Sequence, residues 1–337
     1  MKNTKLTDTN YLYLSSAVAC FEMSLIEGDK LEKMIDAKGF DESFAIAADA
    51  FSSHIEQKYG AENYENMLSA EILYAYEETE KLLLSAGGET GVLKPLKYAY
   101  DCQNLKSCIK CEALKISPNG MLFSCGNIPS EEVVTAVNSR NFSVFSPNIC
   151  IAAPSAIEEF AASGDPQKID IILDKAAFAD MKEQSEKIGL AYLSQLCAAK
   201  ADICNIMTFV RCIRSGSGRK LFEEMFLPGG TAALELEFFT SIFGDGEERL
   251  FSMLSNSLAY DKLTDSANKS LGEIEKLCDE IYLQTALGAR TISFGAEKAV
   301  MYIIEKENEI RNIRIVLAGK KSGLSPENLR ERIRYPR

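Results

Sequence analysis

The residues of this chain that could bind a metal ion are four cysteines in one short stretch. Cys102, Cys108, Cys111 and Cys125 read C-x5-C-x2-C-x13-C, close to the spacing of structural zinc sites. Cys108 and Cys111 lie one turn apart in a segment of helical periodicity, whereas close cysteine pairs in zinc sites usually come from a turn. Reduced thiols often pack as small apolar side chains. We expect no metal, and keep as an alternative a metal-dependent helical enzyme that uses Cys102, Cys108, Cys111 or His54.

Other catalytic patterns are absent from the sequence. It contains no phosphate-binding G-x-x-x-x-G-K-[ST], no G-x-G-x-x-G after a strand, no H-E-x-x-H and no G-x-S-x-G. His54 is the single histidine and lies in a helical run, where a surface or core-edge position is typical. Gly216 and Gly218 follow a predicted helix, so they indicate a helix stop and a turn. We therefore expect no cofactor and no catalytic residues.

A nine-residue pattern occurs three times: an acid, two residues, Asn, an apolar residue, two residues and two further apolar residues. The asparagines are 101 and 107 residues apart. Such regular spacing indicates a threefold internal repeat. The acid and asparagine pairs are Asp101 and Asn104, Asp202 and Asn205, and Glu309 and Asn312.

Each motif has the spacing of an α-helix. Its apolar residues stand at i, i+3 and i+4, which forms one buried stripe. The acid precedes the asparagine by three residues, so the two side chains lie on the same face of the helix. A half-buried asparagine needs hydrogen-bond partners for its amide. We favour a structural role in hydrogen bonding between repeats, and keep contact with a partner protein as the alternative.

Helical periodicity extends over nearly the whole chain. The motif helices are predicted at residues 91–115, 198–214 and 295–317, a first helix at 10–26, and two further helices at 166–196 and 230–243. Alternating β-branched runs are nearly absent, which argues against an extensive sheet. Near the C-terminus, Ser325 is expected to cap a helix that begins at Pro326. The sequence predicts an all-α protein.

The spacing of the motifs predicts the domain organisation. Each motif is followed by a helix stop and then by another short helix. A period near 105 residues is too long for a solenoid unit, so three related helical domains are expected, at residues 1–125, 126–230 and 231–337. Packed alike, they would have pseudo-threefold symmetry and would close around a central opening.

Net charge limits the class of partner. The chain has a net charge of -12, which argues against nucleic acid as a partner. Its last 32 residues are basic, with nine Lys or Arg against four Glu. This segment is either a solvated helix face or a contact for an acidic protein or lipid headgroups. Its candidate contact residues are Arg311, Arg314, Lys320, Lys321, Arg330 and Arg332.

The sequence also indicates a location. It has no run of 18 apolar residues, and its first ten residues lack the apolar core of a secretory signal. No direct membrane span and a cytoplasmic location are therefore expected.

The C-terminal segment resembles a known family. The sequence from Phe294 to Arg334 looks like the C-terminal signature of the C subunit of the V/A-type ATP synthases of bacteria and archaea, which corresponds to the d subunit of the eukaryotic vacuolar ATPase. The core of the resemblance is E-I-R-N-I-R from Glu309, then Gly319-Lys320, then R-E-R from Arg330. It is strong over about the last 45 residues and collinear over the rest.

This resemblance implies a non-catalytic rotor subunit, present once per complex. It would be a funnel of three helical domains that joins the central stalk subunits D and F to the membrane rotor ring and transmits torque. The three motif helices would line or brace the central opening, with Asn104, Asn205 and Asn312 holding neighbouring helices in register. Met207 stands where the other motifs carry Lys106 and Arg314, so a uniform basic ring is not expected. A helical cytosolic adaptor unrelated to rotary ATPases is the alternative.

Overall fold

The computed structural model describes residues 8–51, 59–88 and 90–335. Within these ranges the chain forms α-helices joined by 3-10 turns and loops, and they contain no strand. The prediction of an all-α protein is confirmed. The pseudo-threefold funnel stays a prediction.

The chain forms two compact units, and the first is built from both ends of the sequence. Unit 1 comprises Met1–Thr90 and Leu283–Arg337. Its helices are α1 (Leu12–Ser24), α2 (Gly28–Asp36), α3 (Phe40–Phe51), α4 (Tyr64–Ser85), α14 (Glu297–Lys321) and α15 (Pro326–Arg332).

Unit 2 is the continuous segment Gly91–Tyr282. The last helix that begins in it, α13 (Leu271–Leu287), ends in unit 1. Its other helices are α5 (Lys94–Leu114), α6 (Ser130–Ser139), α7 (Pro147–Ser163), α8 (Gln167–Ile188), α9 (Ala191–Ser215), α10 (Arg219–Met225), α11 (Leu236–Ile242) and α12 (Gly246–Leu254).

Unit 2 contains two separate hydrophobic clusters, each built on one motif helix. Leu105, Cys108 and Ile109 of α5 belong to a cluster with side chains of α6, α7 and α8. The corresponding stripe of α9 belongs to a cluster with side chains of α10 to α13. The division into three domains at the predicted boundaries stays a prediction.

In unit 1 the third motif helix is central. α14 packs against α1, α3 and α4, and α2 packs against α3 and α15. The apolar stripe of α14, which consists of Ile313, Val316 and Leu317, is completely buried. Burial of such aliphatic side chains contributes about 1.5–3 kcal/mol each relative to exposure. The N-terminal helices therefore supply much of the apolar environment of the C-terminal motif.

The boundary between α8 and α9 differs from its prediction. A single helix was expected at 166–196, followed by the motif helix from 198. The structure ends α8 at Ile188 and begins α9 at Ala191. Gly189 has a φ of 71°, and its N–H donates a hydrogen bond to the carbonyl oxygen of Ser185. This left-handed conformation at the end of a helix favours glycine. The signal was present in the sequence, but helical periodicity on both sides concealed it.

Two other predictions concern helix starts and short helices. Ser325 caps α15 as predicted, since its Oγ accepts a hydrogen bond from the N–H of Asn328 at 3.3 Å. The short helix α10, Arg219–Met225, was not predicted. A helix expected at 230–243 is shorter and begins at Leu236.

Candidate functional site

The side chain of each motif asparagine forms hydrogen bonds with both the backbone N–H and the backbone carbonyl of one residue that follows it in the sequence. In unit 2, Nδ2 of Asn205 donates to the carbonyl oxygen of Leu227 at 2.9 Å, and its Oδ1 accepts from the N–H of Leu227 at 2.8 Å. Leu227 lies in the loop after α10, so this pair of bonds, which we call the clamp, fixes the loop to the motif helix.

The same clamp is formed by the other two motifs. Asn104 binds Phe123 with 2.8 Å for both bonds. Asn312 binds Arg334 with 2.9 Å for its donor bond and 3.0 Å for its acceptor bond. The partner residue follows the asparagine by 19, 22 and 22 positions respectively. The three asparagines are thus equivalent in structure, and each contacts backbone that follows its own helix.

The aspartates of the first two motifs bind the chain just after the clamp. Asp202 Oδ1 accepts from the N–H of Thr231 at 3.0 Å, and Oδ2 accepts from the Thr231 hydroxyl and the Tyr260 hydroxyl, both at 2.8 Å. Asp101 similarly accepts from the N–H of Ile128 at 3.1 Å and from the Asn127 amide at 2.8 Å. Burial raises the pKa of both carboxyls, although these hydrogen bonds oppose the rise.

A glycine stands beside each of these aspartates. Gly126 and Gly230 each follow the clamped residue by three positions. A Cβ at either glycine would overlap the Oδ1 atom of its aspartate, Asp101 or Asp202. These glycines are needed for the close approach of backbone and carboxylate. Sequence reasoning missed this role of the two glycines.

The acid of the third motif binds the other end of the chain. Glu309 Oε1 accepts a hydrogen bond of 2.5 Å from the N–H of Ile26, which lies between α1 and α2. The residue before Ile26 is Leu25, and the longer glutamate side chain reaches the N–H without a glycine there. Ile26 and Glu309 are 283 positions apart in the sequence, so no local sequence pattern predicts this contact.

A buried lysine lies beside Glu309. Lys306 Nζ is 2.6 Å from Glu309 Oε2 and 2.5 Å from Glu71 Oε1, and all three side chains are nearly inaccessible. The ammonium also lies 5.0 Å from the centre of the Phe51 ring. Burial opposes the charged form of Lys306, but the carboxylates of Glu309 and Glu71 outweigh it and raise its pKa above the usual range. The lysine therefore stays charged and neutralises one of the two carboxylates.

Another buried carboxyl, that of Glu305, lies one residue before Lys306 on α14. Glu305 is 1% exposed, and its Oε1 accepts from the Arg290 guanidinium at 2.6 Å. Burial raises the pKa of Glu305 to about 7, Arg290 opposes this, and the charges of Glu22 and Glu27 add to it. Burial also raises the pKa of Glu22 and Glu27. Glu305 therefore changes charge near neutral pH.

The basic residues proposed for partner contact lie on α14 and α15, where most of them contact unit 1 itself. Arg314 pairs with Glu65 at 2.9 Å, Arg330 with Glu32 at 2.9 Å, and Lys320 donates to a backbone carbonyl at 2.6 Å. Lys321 lies over the Tyr64 ring. Arg311 is half-buried, and the side chain of Arg332 is exposed. Their role in partner contact stays a prediction.

The position that follows the asparagine by two residues differs among the motifs. Lys106 pairs with Asp174 at 2.5 Å, and Arg314 occupies the same position in the third motif. Met207, at this position in the second motif, is buried. The two cations therefore pair with acids of their own unit.

The cysteines of the spaced cluster are buried. Cys111 Sγ lies 3.8 Å from Met121 Sδ, and burial raises the pKa of the Cys108 thiol to about 11. Among the residues that the structure describes, no three Cys, His, Asp or Glu side chains are grouped as metal ligands. His54 lies outside the described residues. The burial of the four cysteines and the raised pKa of the Cys108 thiol fit thiols that pack as apolar side chains.

In the described part of the chain, no helix combines the length and the apolar character needed to cross a bilayer.

The chain is thus a helical repeat protein whose three motif helices are tied to later backbone by the same clamp. Its sequence matches the family of the ATP synthase (C/AC39) subunit over residues 14–332. The chain belongs to this family, and the resemblance drawn from its C-terminal segment is confirmed at that level. Correspondence with the d subunit of the vacuolar ATPase stays a prediction.

Relatives of similar length carry related names. The C subunit of the V-type sodium ATPase of Enterococcus hirae is 22% identical over 329 residues, which cover 96% of this chain and 98% of the relative. The C subunit of the A-type ATP synthase of Thermococcus kodakarensis is 21% identical, with 96% and 90% covered. That of Methanocaldococcus jannaschii is 21% identical, with 95% and 85% covered. The similarity therefore extends over nearly the whole chain.

Proposed function

We propose that this chain is a non-catalytic central-rotor subunit of a V/A-type rotary ATPase or ATP synthase. One copy per complex would join the D and F central stalk to the membrane ring of ion-binding subunits, on the cytoplasmic face of the membrane. It would transmit torque between them during proton or sodium transport. It would contribute no catalytic group and hold no cofactor.

The observation that carries this proposal is the family match over residues 14–332. It is supported by relatives that are named as C subunits and whose length is covered almost completely. A match confined to one helix pair would fit an unrelated adaptor equally well. A match over the whole chain favours the same role in a rotary complex.

The clamps fit a mechanical role. Torque transmission needs elements that keep their geometry under load, and two hydrogen bonds to one backbone residue restrain a loop in distance and orientation. In unit 2 an additional carboxylate contact to the following residues fixes the chain after the clamp, as with Asp202 and Thr231. A motif helix and the loop after it are thus expected to move together as one element.

The proposal is tested by co-migration in native gels and gel filtration. The purified chain is mixed with the D and F pair, with the detergent-solubilised membrane ring, and with both. A complex of all components that forms only when this chain is present would support a bridging role.

A matched pair of variants makes the test specific for surface contact. Arg332→Glu reverses the charge of an exposed side chain on α15, and Glu158→Lys reverses one on α7. If the basic segment contacts a partner, Arg332→Glu weakens the complex and Glu158→Lys does not. No binding to either component, with both shown to be competent, would refute the proposed function.

A further inference from the structure

The third motif is closed by chain that precedes it in the sequence. In the first two motifs the acid binds an N–H that lies 27 and 29 residues later in the sequence. In the third motif the acid binds the N–H of Ile26, 283 residues earlier. The acid of each motif thus binds a backbone N–H. This N–H follows the acid in the first two motifs and precedes it in the third.

The chain after the bound N–H leads into a helix in all three cases. After Ile128 the chain enters α6, after Thr231 it enters α11, and after Ile26 it enters α2. Residues 26–37, which include α2, therefore occupy the place in the third motif that the next segment of chain occupies in the others. We propose that residues 26–37 form a latch, which closes the third motif without a direct chain connection and opens as one unit while the rest of unit 1 stays folded.

Chain entropy distinguishes the latch from the other two closures. The probability of closing a flexible loop falls with about the 3/2 power of its length. In a free chain a closure over 283 residues is about thirtyfold less probable than one over 27 or 29 residues. In folded unit 1, however, α1 and α3 on either side of residues 26–37 already pack against α14, so this segment is positioned by its contacts and not by a short chain connection to the third motif.

Further polar contacts of residues 26–37 are made by Arg330 of α15, by Tyr335 after it and by Lys320 of α14. Arg330 pairs with Glu32 at 2.9 Å and with Asp36 at 2.5 Å. The Tyr335 hydroxyl donates to Glu32 at 2.6 Å, and Lys320 donates to the carbonyl oxygen of Ala37 at 2.6 Å. Because the Arg330 pairs are 37–60% exposed, dissolved salt screens them.

Apolar contact completes the closure. Leu31, Met34 and Ile35 of α2 are each at most 2% exposed. The apolar side chains keep the latch closed most of the time, while the ionic contacts make its opening dependent on salt and on Arg330.

Hydrogen exchange measured by mass spectrometry on the full chain tests the latch. Arg330→Ala is expected to speed amide exchange at residues 26–37 by about three- to tenfold, since exposed pairs each contribute modestly. One molar salt is expected to have a similar effect on the unchanged protein and little additional effect on the variant. Exchange in α14 and α4 should stay as slow as before.

Arg214→Ala is the matched control, because Arg214 pairs with Glu247 at 2.8 Å within unit 2. It should leave exchange at residues 26–37 unchanged. The latch would be refuted if Arg330→Ala left residues 26–37 unchanged. It would equally be refuted if these residues exchanged only together with α14 and α4, which would show that unit 1 opens as a whole.

Discussion

The side chain of Asn205 pairs with the backbone of Leu227 as one peptide group pairs with another. Its amide nitrogen donates to the Leu227 carbonyl at 2.9 Å and its oxygen accepts from the Leu227 N–H at 2.8 Å. Asn205 is completely buried, so water does not replace these bonds if they are lost. The stability of unit 2 should therefore depend strongly on this one amide.

Replacing Asn205 with Leu should lower the stability of unit 2. The change leaves a buried N–H and a buried carbonyl of Leu227 without partners, at about 1–3 kcal/mol each. We expect a loss of about 2–6 kcal/mol. The measurement is the free energy of unfolding from denaturant titration, followed by circular dichroism.

Asn256 offers a control for this substitution, since it is exposed in the same unit. Asn256→Leu should change stability by less than about 0.5 kcal/mol. Equal losses from both variants would show that the clamp contributes nothing particular.

Adding a methyl group at Gly230 should destabilise the contact between Asp202 and the chain after the clamp. The new Cβ would overlap Asp202 Oδ1, so either the carboxylate or the loop must move. Gly230→Ala is expected to cost about 1–3 kcal/mol. The loss of stability is measured by thermal unfolding.

Gly244→Ala is the matched control, because a Cβ there meets no atom within 4 Å among the described residues. It should leave the unfolding temperature nearly unchanged. A Gly230→Ala protein as stable as Gly244→Ala would contradict the close approach of Asp202.

Removing the buried cation of unit 1 should be among the most damaging single changes. Lys306→Met leaves the carboxylates of Glu71 and Glu309 buried without a counter-charge, which costs about 3–5 kcal/mol. Adding Glu71→Gln to Lys306→Met should recover part of the loss, because one buried negative charge is then removed. Denaturant titration of both variants measures this, and a double variant less stable than Lys306→Met would contradict it.

Stability should depend on pH through Glu305. Its pKa is raised from 4.5 to about 7 in the folded protein, so the folded state binds more protons than the unfolded state between these values. The contribution of this group to stability is therefore greatest below pH 4.5, falls as pH rises to about 7, and is constant above that.

Glu305→Gln removes this dependence. The difference in unfolding temperature, variant minus unchanged protein, should become more positive from pH 5 to pH 8. Glu158→Gln, at an exposed position of α7, should give a difference that does not vary with pH. A difference that is constant for Glu305→Gln as well would contradict a raised pKa.

Helical periodicity in the sequence predicts most of the fold. The motif helices were predicted because apolar residues at i, i+3 and i+4 point to one core, and this local signal does not depend on distant chain. The break at Gly189 was missed because α8 and α9 have helical patterns on both sides of it. Its glycine was the only local indication.

The partners of the motif could not be read from the sequence. The clamp binds backbone, so the residues it holds share no side-chain chemistry: Phe123 is aromatic, Leu227 aliphatic and Arg334 cationic. The contact between Glu309 and Ile26 joins opposite ends of the sequence, which no local pattern records. Only Gly126 and Gly230, at the same offset from the clamped residue, gave a recoverable signal.

Recognition of backbone by the three asparagines leaves the identity of the clamped residue unconstrained. The same frame can present an aromatic ring, an aliphatic chain or a guanidinium at corresponding positions, without altering how the loop is held. The three motifs can therefore differ in the side chain at the clamped position while the hydrogen bonds that hold its backbone remain alike. Substitution at a clamped position can thus alter the packing around a loop without breaking the hydrogen bonds that join the loop to its helix.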